Sequence, residues 1–357
     1  MENYIDIPQA IRQGEELNIE NLRLFLQKEI PDLQGEIQLS QFPSGFSNLT
    51  YLLSIGDKEY VLRRPPFGAN IKSAHDMSRE YHILGSIAPA YPKVPKPLLY
   101  SDDTSIIGAE FYIMERVKGI ILRQKPPKDL VLTPDMMQAI SISVIDNLAD
   151  LHLIDIQKHQ LIHLGKPEGY VKRQVEGWIE RYKKAETDLI VTMNNTANWL
   201  LANMPVDNAP ALIHNDYKYD NVVLNPQKLD EIIAVLDWEM ATIGDPLMDL
   251  GTTLGYWAEE TDPEVLKGFS LTCLAGNLNR KKIVERYAEK TGQNSADLLE
   301  KIVFYYAFGC FKIGVIVQQI YARYKKGFTQ DKRFANLIYL VHACGQCADK
   351  AIKTGKI

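Results

Sequence analysis

The run Leu212-Ile-His-Asn-Asp-Tyr-Lys-Tyr-Asp-Asn-Val-Val-Leu224, followed by Ala234-Val-Leu-Asp-Trp-Glu239, constrains this chain more than any other stretch. Val222–Asn225 and Ile232–Leu236 read as two short strands joined by Pro226–Glu231, which makes a hairpin. The outer ends of a hairpin lie side by side. Asn221 and Asp237, 16 positions apart, are therefore expected at one place. One amide oxygen and one carboxylate suit Mg²⁺, which takes few protein ligands and completes its shell with other oxygens. Asp216 opens the loop away from that pair, free to accept a hydrogen bond from a hydroxyl and then its proton. His214 is expected to brace the loop.

With 357 residues, 46% hydrophobic and 24% charged, the chain can build one large or two smaller domains. A net charge of −5 gives no reason to expect nucleic acid or an anionic membrane as partner. The N-terminus is polar and acidic, without the basic start and apolar core of a signal peptide, so a cytoplasmic location is the default expectation. The apolar stretch Ile302–Tyr321 contains Lys312, Gln318 and Gln319 and reads as a buried helix. Cys344-Gly-Gln-Cys347 has C-x-x-C spacing but no second pair and no nearby pair of histidines, so reduced thiols on a terminal helix are expected.

The first third is strand-rich. A helix over Asn18–Ile30 precedes strands at Ile37–Phe42, Leu49–Ile55 and Tyr60–Arg64. A helix capped by Ser73 runs to about Ile87, and strands follow at Leu98–Tyr100 and Phe111–Met114. Beyond Gly119 the period is helical, with Thr133 as a good N-cap for Pro134–Ile154 and a further helix at Tyr170–Lys184.

The pattern H-x-D-x-x-x-x-N at His214, Asp216 and Asn221, then Asp237-Trp-Glu239 and Gly244-Asp-Pro-Leu-Met-Asp249, closely resembles the aminoglycoside phosphotransferase family. That family also covers choline-, homoserine- and fructosamine-kinase-like enzymes. The resemblance implies an α+β, two-lobe protein-kinase-like fold: a small β-rich nucleotide-binding lobe over 1–114, a hinge at 115–120, and a larger helical lobe over 121–357 for catalysis and acceptor binding. It implies transfer of the γ-phosphoryl of ATP to a small-molecule hydroxyl, with Asp216 as base and Asn221 and Asp237 on Mg²⁺. It also implies that Asp245 and its neighbours brace the catalytic loop.

The nucleotide-binding residues implied are spread along the first lobe. Ser44-Gly-Phe-Ser-Asn48 lies between two strands, where Gly45 supplies a turn and Ser47 and Asn48 offer donors to phosphate. Strand alternation places Val61 and Arg63 on one face and Leu62 and Arg64 on the other. Val61 then meets adenine and Arg63 the phosphates, where the family has a lysine; Arg64 is the alternative. Glu80 shares a helix face with Met77 and Leu84 and is expected to reach that cation. Met114 borders the adenine pocket, and the backbone of Glu115 and Val117 binds its edge.

The acceptor is less legible. Tyr170–Tyr182 and Phe311–Arg323 resemble helices of the family branch fused to some acyl-CoA dehydrogenases, which implies a hydroxyacyl-CoA acceptor. Lys172, Arg173, Arg181, Lys183, Lys184, Arg323, Lys325 and Lys326 suit an anionic substrate as well as they suit a solvated surface. The acidic run Glu259–Glu264 suits an aminoglycoside or a helix start. Three classes therefore stand: a small-molecule kinase, a nucleotide-binding pseudokinase acting as an interaction module, and an aminoglycoside-resistance enzyme. The oligomeric state is open.

Overall fold

The computed structural model describes residues 6–31, 35–42, 48–67, 76–328 and 332–357. Gly45, Ser47 and Ser73 lie outside them. In chain order the elements are α1 (Ile19–Glu29), β1 (Ile37–Gln41), β2 (Leu49–Ile55), β3 (Lys58–Arg64), α2 (Met77–Ile87), β4 (Pro97–Ser101), α3 (Thr104–Ile107) and β5 (Phe111–Glu115). Then come α4 (Pro134–His152), α5 (Tyr170–Ala185), α6 (Val191–Ala202), β6 (Ala211–Ile213), β7 (Val222–Asn225), β8 (Lys228–Val235) and β9 (Thr242–Gly244). The chain closes with α7 (Pro246–Tyr256), α8 (Glu264–Lys267), α9 (Arg280–Thr291), α10 (Ser295–Lys325) and α11 (Leu337–Thr354).

Two compact units result. The first holds residues 1–121, 223–227 and 233–239; the second holds 122–222, 228–232 and 240–357. Most of the hairpin thus groups with the strand-rich unit, whereas the sequence suggested the helical lobe.

The first unit is built on a five-stranded antiparallel sheet in the order β1-β2-β3-β5-β4. Alternation gives each strand two faces. On one face Tyr51, Leu53, Leu62, Phe111 and Ile113 bury against Leu22 and Leu26 of α1. On the other, the register pairs Leu52 with Val61, Val61 with Met114, and Arg63 with Tyr112. Helix α2 packs on β4 and β5, and its N-cap is Asp76, whose side chain accepts from Arg79 N. Gly119 fixes the hairpin: a Cβ there would strike Val223, Leu224 and Ile233. Ile120 and Leu224 exchange backbone hydrogen bonds of 2.9 and 2.8 Å.

The hairpin differs from expectation in its turn. Only Pro226 and Gln227 separate β7 from β8, and Asn225 Oδ1 accepts from Gln227 N at 2.9 Å. Lys228 and Glu231 are exposed strand residues and Asp230 a half-buried one, interspersed with the buried Leu229 and Ile232. Their charge had marked them as loop.

In the second unit α10 packs against α11, α7, α5, α9 and α6. By length and apolarity alone α10 would cross a membrane, but 89% of its most apolar window is buried inside the protein. Cys344 and Cys347 are free, buried thiols on α11. Helices α7 and α10 touch backbone to backbone at Gly251 and Gly309, where a Cβ on either would collide with Tyr305 carbonyl or Gly251 carbonyl respectively. Gly251→Ala is accordingly expected to destabilise the protein by about 1–3 kcal/mol, the range for overpacking, as a lower urea midpoint at unchanged slope.

Candidate active site

The site residues of the first unit converge on Arg63. This residue is 7% exposed, and its guanidinium donates to Glu80 Oε1 at 3.0 Å and to Asp237 Oδ1 at 3.0 Å. Glu80 lies fully buried on α2. Burial works against the charge on Arg63, but Glu80, Tyr112, Asp237 and Glu239 outweigh it and hold its pKa well above the ordinary value. Val61 and Met114, cross-strand partners on the same face, complete a buried apolar surface beside it. Arg64 points to the opposite face. It donates to the carbonyls of Ile107 and Pro65 and stacks on Phe67 at 3.8 Å.

Asp237 follows β8 with φ 66°, a left-handed conformation uncommon for a residue with a side chain. Neighbouring bonds hold it there. Val235 N donates to Lys93 O at 2.8 Å, and Trp238 Nε1 to Val235 O at 2.8 Å. The indole packs edge-on against Tyr91. Asn48 Nδ2 donates to Glu239 Oε2 at 2.8 Å, so this donor is spent inside the protein. The N–H of Glu115 is likewise committed, to Lys96 O at 2.9 Å. Val117 lies half-buried in the irregular segment after β5.

In the second unit the loop after β6 carries Asp216. Strand β6 pairs with β9 through Ala211–Gly244, Leu212–Ile243 and Ile213–Thr242, which sets the loop beside the start of α7. Asp249 on α7, fully buried, then accepts from His214 N at 2.7 Å and Asn215 N at 2.8 Å. His152 adds a third contact at 3.1 Å. Burial opposes charge on Asp249, but His152, His214 and these backbone donors hold its carboxyl below the usual range. The brace is thus Asp249, not Asp245. Asp245 caps α7 through Leu247 N at 2.8 Å and holds Asn208 at 2.9 Å.

Asp216 is tightly framed. His214 Nδ1 lies 3.2 Å from Asp216 N, and Lys218 Nζ lies 2.7 Å from Asp216 Oδ2. Asn221 Nδ2 donates to Asp216 O at 2.8 Å and to Oδ2 at 2.9 Å. Burial pushes the Asp216 pKa up, yet Lys218, Tyr256 and His214 outweigh it and keep the carboxyl below its ordinary value. With Nδ2 of Asn221 turned to Asp216, its Oδ1 is the atom left for a cation. That oxygen in the second unit and, taken separately, the Asp237 carboxylate in the first are each hard donors of the kind Mg²⁺ prefers, so the donor chemistry fits the ion. Sequence reasoning did not single out Lys218, whose ammonium also sits 4.6 Å over the Tyr256 ring. Its position two residues after Asp216 was the available signal.

The basic residues weighed for the acceptor are largely occupied. Lys184 pairs with Glu180 at 2.5 Å, Lys325 with Asp188 at 2.6 Å and Lys172 with Glu176 at 3.9 Å. Arg173 donates to the carbonyls of Glu168 and Lys166. Arg181 stacks on Trp178 at 4.6 Å. The acidic run is structural as well: Glu259 accepts from Arg280 N at 2.5 Å, and Asp262 pairs with the Arg280 guanidinium.

The model of the phosphotransferase enzyme family matches residues 38–272, and the chain belongs to that family. The fold is kinase-like, with a small antiparallel sheet in one unit and a helical second unit. The chain is 37% identical over 313 residues to acyl-CoA dehydrogenase family member 11 of Homo sapiens, covering 85% of this chain and 39% of that protein. It thus spans about two fifths of the length of that relative. A solved structure of a putative aminoglycoside phosphotransferase from Ralstonia eutropha JMP134 superimposes with a TM-score of 0.77 at 28% identity, covering 95% of this chain and 99% of that one. A ternary complex of aminoglycoside phosphotransferase APH(4)-Ia with ADP and hygromycin B gives 0.58 at 14% identity, covering 93% and 98%.

Proposed function

We propose that this phosphotransferase is an ATP- and Mg²⁺-dependent kinase of a small-molecule hydroxyl, with a hydroxyacyl-CoA as acceptor. The observation that carries the reading is the frame around Asp216: a half-buried carboxylate kept ionised by Lys218 and oriented by Asn221. Such a group accepts a proton from a hydroxyl as the nucleophilic oxygen attacks. Arg63, rather than Arg64, is the phosphate-binding cation in this proposal, since Arg64 is spent on the opposite face. Asn221 and Asp237 would hold Mg²⁺, which when bound neutralises phosphate charge. Val61, Met114 and the backbone at Glu115 and Val117 would border adenine, and Gly45, Ser47 and Asn48 the phosphates. The ADP held by APH(4)-Ia supports the nucleotide. The acyl-CoA dehydrogenase name of the matched relative supports the acceptor class.

The test is ATP consumption and product mass with a panel of hydroxyacyl-CoA thioesters, choline and kanamycin-like amines. The expected result is a mass gain of one phosphoryl group on a hydroxyacyl-CoA only. CoA alone should also raise the melting temperature, as any native-state ligand does. Phosphorylation of the amines alone would overturn the acceptor class. ATP binding with no acceptor modified would favour an interaction module.

A further inference from the structure

Lys312 lies mid-way along α10 and is 2% exposed, flanked by the buried Phe308, Phe311 and Val315. Its ammonium has one hydrogen-bond acceptor among the described residues, the carbonyl of Asn215 at 2.6 Å. The Trp178 ring centroid lies 5.7 Å away. No carboxylate among the described residues forms an ion pair with it. A buried ammonium without a counter-ion is costly, and an apolar side chain of similar length would fill the slot more cheaply. Packing of α10 thus gives no reason for a charge here.

The loop does. Asn215 holds φ 68°, a left-handed conformation that asparagine adopts more readily than most residues with a Cβ, and its polar atoms are gripped on all sides. Its N–H goes to Asp249 at 2.8 Å; its side-chain Nδ2 goes to Tyr170 Oη at 3.0 Å and Met240 O at 3.1 Å. Its carbonyl accepts from Lys312. That carbonyl and the N–H of Asp216 belong to one planar peptide, and the N–H lies 3.2 Å from His214 Nδ1. Lys312 and His214 therefore hold opposite edges of the plane from which the Asp216 side chain departs.

We propose that Lys312 is a positioning residue: its ammonium holds the Asn215–Asp216 peptide in the orientation that aims the Asp216 carboxylate. The proposal rests on the reading of Asp216 as the base. The charged groups around Lys312 are Asp216 and Lys218 from the loop, Asp249 from α7 and Arg181 from α5. Burial outweighs the two aspartates and lowers its pKa to about 8. The charge of this grip is then lost in mildly alkaline solution, where an exposed lysine keeps its own.

Lys312→Met and Lys312→Arg test the proposal in the full chain. At pH 7 Lys312→Met is expected to keep or raise the melting temperature, because an unpaired buried charge is removed. Amide exchange without ligand should rise about tenfold or more within residues 214–219 and stay unchanged elsewhere. With ATP, Mg²⁺ and the acceptor found in the panel, kcat should fall about 10–100-fold at unchanged KM for ATP. Wild-type kcat should fall above about pH 8, while Lys312→Arg, charged throughout, should keep its activity there. Wild-type exchange and kcat in Lys312→Met would overturn the proposal. So would a lowered melting temperature with faster exchange across the whole chain, the mark of a purely structural residue. An identical alkaline limb in Lys312→Arg would overturn the role of the charge. If the wild type phosphorylates no acceptor, the function proposed above fails, and the exchange experiment still decides the positioning.

Discussion

Asp216→Asn is expected to lower phosphoryl transfer by about 10²–10⁴-fold, the usual loss on removing a general base, with nucleotide affinity unchanged. The substitution preserves shape and leaves an oxygen to accept from Lys218, so the frame of His214, Lys218 and Asn221 can persist. Only the proton-accepting capacity disappears. Calorimetry with ATP and Mg²⁺ should give the wild-type dissociation constant, and steady-state kinetics should show the loss in kcat. Wild-type turnover with a proven acceptor would remove Asp216 from this role. The pH dependence has a definite sign. The folded-state pKa of Asp216 is depressed, so its contribution to stability is present above the unfolded value of about 4 and is lost as pH falls through the folded one. The mutant should lack that part of the acid limb.

Asp237→Asn and Asp237→Ala should weaken Mg²⁺-dependent nucleotide binding by about 100-fold or more, or about 2.7 kcal/mol. Asn221→Ala should weaken it less, because a neutral oxygen contributes less to a hard cation than a carboxylate does. The two substitutions at 237 separate ligation from backbone strain. Asparagine tolerates the left-handed conformation observed at φ 66° better than alanine does. Loss of binding in both variants is therefore the expected signature of a missing ligand. Titrations with and without Mg²⁺ decide it: equal metal-dependent binding in wild type and all three variants would place the metal elsewhere.

Much of the fold could be read from local chemistry. Strand alternation alone put Val61 and Arg63 on one face, and helical spacing put Glu80 within reach of that face. The limits of β2 and the cap Thr133 were visible because each has a strong local signal. What escaped notice depends on distant partners. Strands β6 and β9 have three residues each, too few to show a period. Charged Lys228, Asp230 and Glu231 concealed the start of β8, because the first half of that strand is partly exposed. Asp245 and Asp249 look alike in sequence, and the helical turn between them alone decides which one faces His214 and which one caps the helix. Lys312 read only as a polar residue tolerated in an apolar run, since nothing nearby in sequence announces a carbonyl 97 positions away.

The glycine contact between α7 and α10 has a wider bearing. Asp249, which takes the N–H groups of the loop, is two residues before Gly251; Lys312, which gives to its carbonyl, is three residues after Gly309. The loop is thus slung between two helices that meet main chain to main chain, with no compliant side chain to take up slack. Its tolerance is machined into a contact that touches no reacting group. A methyl group added there would act as a shim, widening the span over which three short hydrogen bonds must reach. Variants at this crossing can therefore be screened as a calibrated series in which turnover declines before the protein melts, and a defect mapped to Gly251 or Gly309 would be mistaken for damage to the loop itself.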